Sequence, residues 1–270
     1  MRDSGRQQLG FSLLEVTIAL VIFGFIFYVV SLSINVFNDS DTYAKNKSAL
    51  DVVQKSLYTY VQVNNYLPCP DINWDGVEDR NGAPNFVCAA TQGGLPYINL
   101  GVNPQDAWGS EYFYAINFNA NGAGIQNNAN AASYFGSLNP PVFNLTTPPV
   151  GQDTGFVVGG PAEGGNLTVC AETAGVACNN ATNGANIIGF TVVAVIVSLG
   201  KNGQNSWDRF RNGNIAVLTA QEQENLDNDR FFWRAPKVSN VNNANYFDDQ
   251  IVWITAYDIK HQMLKARQAL

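Results

Sequence analysis

The chain has 270 residues, of which 46% are hydrophobic and 12% aromatic; that is core material for one large domain or two small ones, and it excludes a disordered chain. Fifteen basic residues (15) against 22 acidic ones give a net charge of −7, which argues against nucleic-acid binding, a task for clustered Lys and Arg. There is no GxSxG, no HExxH and no phosphate-cradling loop, and the single histidine, His261, stands alone, so an enzyme is not expected.

From the N-terminus, a polar leader of residues 1–10 carries Arg2 and Arg6. Residues 10–32 then read GFSLLEVTIALVIFGFIFYVVSL, an apolar run broken by one carboxylate, Glu15, five places after Gly10. About 20 apolar residues suffice to cross a bilayer as a helix. An acid there costs about 2.5–3.5 kcal/mol at mid-bilayer on insertion scales and marks function by default. The arginines on the short side place that end in the cytoplasm and the bulk of the chain outside. Two plainer readings compete. One is a secretory signal peptide cut near Ser31-Leu32-Ser33, against which stand Glu15 and a run longer than the usual 7–15 residues. The other is a signal anchor with no further role.

The leader, the glycine, the apolar run and the acid at the fifth place together resemble the prepilin segment of type IV pilins and of type II secretion pseudopilins. The resemblance is strong over residues 1–40 and weak beyond them. It implies a cut after Gly10 by a prepilin peptidase, methylation of the new terminal amine on Phe11, and an assembly role for Glu15. The implied partners are the peptidase/methyltransferase, the inner membrane and other pilins or pseudopilins, with no nucleic acid. The Phe11 ammonium and a neighbour's Glu15 offset two desolvation costs by pairing, and a head-to-tail contact of that kind grows as a helical filament. The implied fold is α+β and pilin-like: a long N-terminal helix packed on an antiparallel β-sheet head, in the bacterial inner membrane with the head in the periplasm. The head exceeds that of a typical major subunit, so a minor or tip position is expected; the alternative is a pilus-tip adhesin or cargo-binding module.

After the polar patch Asn38-Asp39-Ser40-Asp41, apolar residues return as Leu50, Val53, Leu57 and Tyr60, spaced three and four apart along one helical stripe. Asn64-Asn65, with Pro68 and Pro70 beyond, stops the helix. One helix over residues 11–63 is expected, with 11–35 as its membrane and assembly part; at 1.5 Å per residue it is about 80 Å long. Residues 64–270 form the head. Strands are expected at Leu95–Leu100, Glu111–Phe118, Ile187–Leu199, Asn214–Leu218 and Gln250–Tyr257. The run IIGFTVVAVIVSL at 187–199 is β-branched and nearly all apolar, as a central strand buried on both faces is. Residues 117–165, rich in Asn, Gly, Ala and Pro, read as a long loop insertion tacked down by Phe143 and Leu145. Asp258–Leu270 reads as a short amphipathic helix, with Asp258 near its N-cap and Ile259 and Met263 inward.

Cys69, Cys88, Cys170 and Cys178 allow three disulfide pairings. In an oxidising compartment disulfides are the default, and proximity favours Cys69–Cys88 and Cys170–Cys178. Zinc is disfavoured, with no CxxC pair in the chain. Calcium is the one candidate cofactor. Asp71, Asn73 and Asp75 at alternate positions before Gly76, then Glu78 and Asp79, aim several oxygens at a hard cation; the alternative is an Asx-rich turn holding its own backbone. A second set follows from the resemblance. Gln105-Asp106-Ala107-Trp108-Gly109 with Tyr112 is similar to an element of major pseudopilins. So are Ser198-Leu199-Gly200-Lys201-Asn202-Gly203 and Asp248-Asp249-Gln250-Ile251. In that family a C-terminal loop binds calcium, which makes Ser198, Asp227, Asp229 and Asp248 candidate ligands. Asn202 stands where an acid is common, and solvated loop carboxylates are the plain alternative.

Overall fold

A computed structural model describes residues 13–64, 67–80, 88–116, 167–171, 178–179, 186–238 and 243–268. Gly10, Phe11 and the loop insertion expected at 117–165 lie outside the described residues, as does the Met263 side chain. The chain divides into two compact units, Met1–Lys45 and Asn46–Leu270. Helix α1, Leu13–Asn64, 52 residues long, contributes to both.

In the first unit, every side chain from 13 to 29 is exposed, including Leu13 at 86% and Phe23 at 71%. Thr17 returns its hydroxyl to the Leu14 carbonyl at 2.8 Å, so it adds no unsatisfied polar group to this surface. Among the described residues no helix is long and apolar enough to cross a membrane. The apolar run read from the sequence begins at Gly10, before the first of them, and the side chains at 30–38 are also outside them.

In the second unit the same helix becomes amphipathic. Leu50, Val53, Leu57 and Val61 are each 2% exposed or less, and Asn46 stands at the head of the stripe. Tyr60, expected in the stripe, is half-buried, and Val61 takes its place. The sheet has six strands among the described residues: β1 (Gln92–Gly94), β2 (Phe113–Ile116), β3 (Leu167–Ala171), β4 (Ile187–Ser198), β5 (Phe231–Arg234) and β6 (Gln250–Thr255). Their order is β1-β2-β4-β3-β5, with β6 also paired to β4. All pairs are antiparallel except β3 with β5. The fold is therefore α+β with a mixed, mostly antiparallel sheet and an N-terminal helix.

The strand β4 is central and buried on both faces, as expected. Ala194 and Ile196 join Tyr112, Tyr114 and Ile116 of the β2 region against the α1 stripe. Val195 and Val197 join Phe113 and Ala115 on the opposite face, under Trp207, Leu218 and Leu226. The period of two breaks at Val193, which lies on the α1 face beside Ala194. The β4–β6 register shifts there, between Val192 and Ala194, as one extra residue in a β-bulge requires.

Two expected strands are corrected. Instead of a strand at 95–100, β1 lies earlier and Tyr97–Leu100 forms α2, one helical turn closed by Gly101 in the left-handed region. Instead of a strand at 214–218, Ile215–Val217 is a 3-10 turn. The strands β3 and β5, and the helices α3 (Gly203–Arg211) and α4 (Ala220–Gln223), were not expected. The tail forms α5, Ala256–Gln268, beginning two residues early and burying Ile259. Asp258 is its third residue, near the N-cap as expected. Its carboxylate accepts from the Thr255 amide at 2.9 Å while Thr255 Oγ1 accepts from the Asp258 amide at 3.1 Å, a reciprocal capping box.

Among the described residues, each outer strand of the sheet has part of its edge covered. Asp71 exchanges backbone hydrogen bonds with Gly94 on β1. Asn225 Oδ1 and Asp229 Oδ1 accept from the outward amides of Trp233 and Phe231 on β5. On β6, Gln54 of α1 donates to the Trp253 carbonyl at 2.9 Å.

Candidate functional site

The first unit presents Glu15 in the opening turn of α1, where a carboxylate also suits the helix dipole. With Val16, Ala19, Leu20 and Phe23 it lines a shallow groove of about 470 Å³ along the helix surface. Ala19 lies one turn beyond the acid. The acid is the one charged side chain there.

In the second unit, the 71–79 loop carries all five residues of the first calcium set, and the side chains of four of them bond within it. Asp71 Oδ1 accepts from the amides of Asn73 and Trp74, and Oδ2 from that of Gly76 at 2.6 Å. Asp79 Oδ2 accepts from the Ile72 amide at 2.7 Å, and its Oδ1 from Asn73 Nδ2. Asn73 and Asp75 each cap the amide two residues on. Glu78 turns away from the loop: Tyr60 donates to Oε1, while Oε2 takes the Cys69 amide and Arg80. Backbone geometry explains why the sequence folds so. Gly76 has φ +85° and lies under the Tyr97 ring, where a Cβ would stand 2.3 Å from Cζ. Trp74 sits in the left-handed region at φ 68°, costly for a bulky residue. Its ring is held edge-on to Trp207, centroids 5.1 Å apart, with Arg211 4.4 Å over it. The Cys69–Cys88 disulfide formed as expected, as did Cys170–Cys178.

The second calcium set is divided. Ser198 donates to Asp106 Oδ2 at 2.6 Å, and Asp106 raises the proton affinity of Asp248, so these three share a neighbourhood. Asp248 Oδ2 accepts from the Lys201 amide and the Tyr246 hydroxyl, each at 2.7 Å. Gly200, φ +67°, permits this: a Cβ there would lie 2.3 Å from the Asp248 carboxyl. Asp227 and Asp229 instead couple to one another and raise Glu224.

Sequence reading passed over Glu222 and Glu224 and named Asp249 only as part of a motif; all three are buried. Burial pushes the carboxyls of Asp106, Glu222, Asp248 and Asp249 above the usual range, partly countered by bonds from Ser198, Asn202, Tyr246 and Asn225 respectively. Glu224 is pushed up to about 8, by burial first and then by Asp227 and Asp229. Asp229 rises to about 7, again chiefly by burial. Asp248 Oδ1 and Glu224 Oε1 are buried with no hydrogen-bond partner. Chemically the cluster is a clasp: protonated or hydrogen-bonded acids tie the segments 106–110, 200–202, 219–225 and 246–249 to the ends of β4 and β6. Among the described residues no group of three or more His, Cys, Asp or Glu is arranged to hold a metal ion.

Comparison with known proteins adds no name. No family model, no curated protein and no solved structure matches this chain.

Proposed function

We propose that this chain is a structural subunit, in a minor or tip position, of a type II secretion pseudopilus or a type IV pilus. It is cut after Gly10, methylated at Phe11, and held in the inner membrane by residues 11–35 with its head in the periplasm. The observation that carries the reading is the change of character along α1. Residues 13–29 are exposed all round and apolar but for Glu15 and Thr17, while from Asn46 the same helix buries a narrow stripe in a sheet head. A surface apolar on every side is covered by lipid or by other helices. Lipid tails are as apolar as leucine, so exchanging one cover for the other gains little hydrophobic energy. Specific pairing then decides the register, and Glu15 in its groove is the group placed to supply it, toward a neighbour's terminal ammonium.

Intact mass and N-terminal sequencing of the protein from its host membrane test the reading. A start at methylated Phe11 is the expected result. A start near Ile34 would mean an ordinary signal peptide and end the filament reading.

A further inference from the structure

We propose that Lys237 and Asp248 close into an intramolecular amide, a covalent cross-link between the segment after β5 and the segment that leads into β6. It stands apart from the filament reading and does not rest on it. The backbone sets the two residues side by side. Val238 and Phe247 form an antiparallel bridge, the Val238 amide donating to the Phe247 carbonyl at 2.7 Å. The next pair along that bridge is Lys237 with Asp248, and cross-strand neighbours have Cβ atoms about 4.5–5.5 Å apart. The Lys237 ammonium acts electrostatically on the Asp248 carboxyl, as such a spacing requires. Lys237 is half-buried, and Asp248 is 1% exposed.

The two oxygens of the carboxyl are treated differently. Oδ2 accepts from the Lys201 amide and the Tyr246 hydroxyl, each at 2.7 Å, whereas Oδ1 is buried with no hydrogen-bond partner. As the Lys237 nitrogen adds to Cγ, negative charge develops on Oδ2, and those two donors are already in place to stabilise it. The Cγ–N bond forms and the Cγ–Oδ1 bond breaks. Oδ1 leaves as water with two of the three ammonium protons, and the nitrogen keeps the third. Ammonium and carboxylate thus become amide and water, with no oxidant or further reactant. Glu222, buried and in electrostatic contact with Asp248, is the carboxyl placed to carry a proton from the nitrogen to Oδ1. Burial supplies the drive, because an enclosed ion pair bears the desolvation cost of two charges and an amide bears neither.

Tryptic digestion of the full-length protein from its host membrane, after reduction, reads the link by mass. Trypsin cuts after Arg234 and Lys260, and after Lys237 only when that amine is free. The expected product is one peptide of residues 235–260, lighter than its linear form by one water, with the 238–260 fragment missing. Fragmentation is expected to join Lys237 to Asp248. Lys237→Arg should restore the cut and the full mass. Asp248→Asn should keep the link by expelling ammonia in place of water, a rescue that an ion pair cannot give. Glu222→Gln should lower the linked fraction about tenfold, since a positioned proton carrier is worth at least that. A wild-type digest that yields residues 238–260, or residues 235–260 at the linear mass, overturns the cross-link and leaves the filament reading standing. A link that forms equally in Glu222→Gln overturns the proton-carrying role of Glu222.

Discussion

Glu224 links the stability of the head to pH in a direction opposite to that of most carboxylates. Its carboxyl is raised from 4.5 to about 8, by burial first and then by Asp227 and Asp229. A folded-state value above the unfolded one means that the folded protein holds the proton more tightly. The associated stability is fully present below pH 4.5 and is lost as pH rises through 8. Each unit of difference is worth up to about 1.4 kcal/mol. Asp227 is exposed and Asp229 half-buried, so solvent weakens the repulsive part. We expect a loss of about 2 kcal/mol between pH 5 and pH 8.5. Replacing Glu224 by Gln keeps the shape and removes the titrating group. Urea unfolding of the full-length protein in detergent, at several pH values, is the assay. Glu224→Gln should be the more stable form at pH 8.5 and show a much flatter dependence, with a residue left by Asp229, which titrates near 7. Equal slopes for the two proteins would refute the placement of a buried, proton-holding carboxyl beside Asp227 and Asp229.

Three further outcomes follow from the packing. Leu57→Ala empties a fully buried site in the α1 stripe and should cost about 3 kcal/mol, read as a lower urea midpoint at unchanged slope. Gly200→Ala drives a methyl into the Asp248 carboxyl from a left-handed residue and should cost about 2 kcal/mol or more; Asp248→Ala in the same chain should recover part of it, and no recovery would place the strain elsewhere. Arg80→Ala leaves the half-buried Glu78 with Tyr60 and the Cys69 amide only. It should lower stability by about 1–3 kcal/mol, seen in thermal unfolding of the full-length protein.

The long helix, its stripe, the central strand, the last strand and tail helix, and both disulfides were legible in the sequence. Each rests on a strong local signal: spacing of three and four, a run rich in β-branched residues, a short cysteine separation. What was missed has physical causes. Leu167–Ala171 and Phe231–Arg234 are four or five residues long and pair with distant segments, so nothing local marks them. Ile215–Val217 looks like a strand, but the backbone closes into a turn that buries Leu218 under the sheet instead. The bulge at Val193 is invisible because Val192 to Val197 are all apolar, with no alternation to break. Buried acids are the hardest case, because Glu222 and Asp249 read as solvated loop until the fold shows Asn202 and Asn225 turned toward them.

The covered stretches of the sheet's edges bear on how the head meets another strand. A free strand edge lets one molecule annex another through backbone bonds, which are hard to undo because each is backed by the whole ladder. Here an aspartate loop, two side-chain carbonyl acceptors and a helix glutamine already occupy those positions. At those positions a second chain adds to the ladder only by displacing the partners already there.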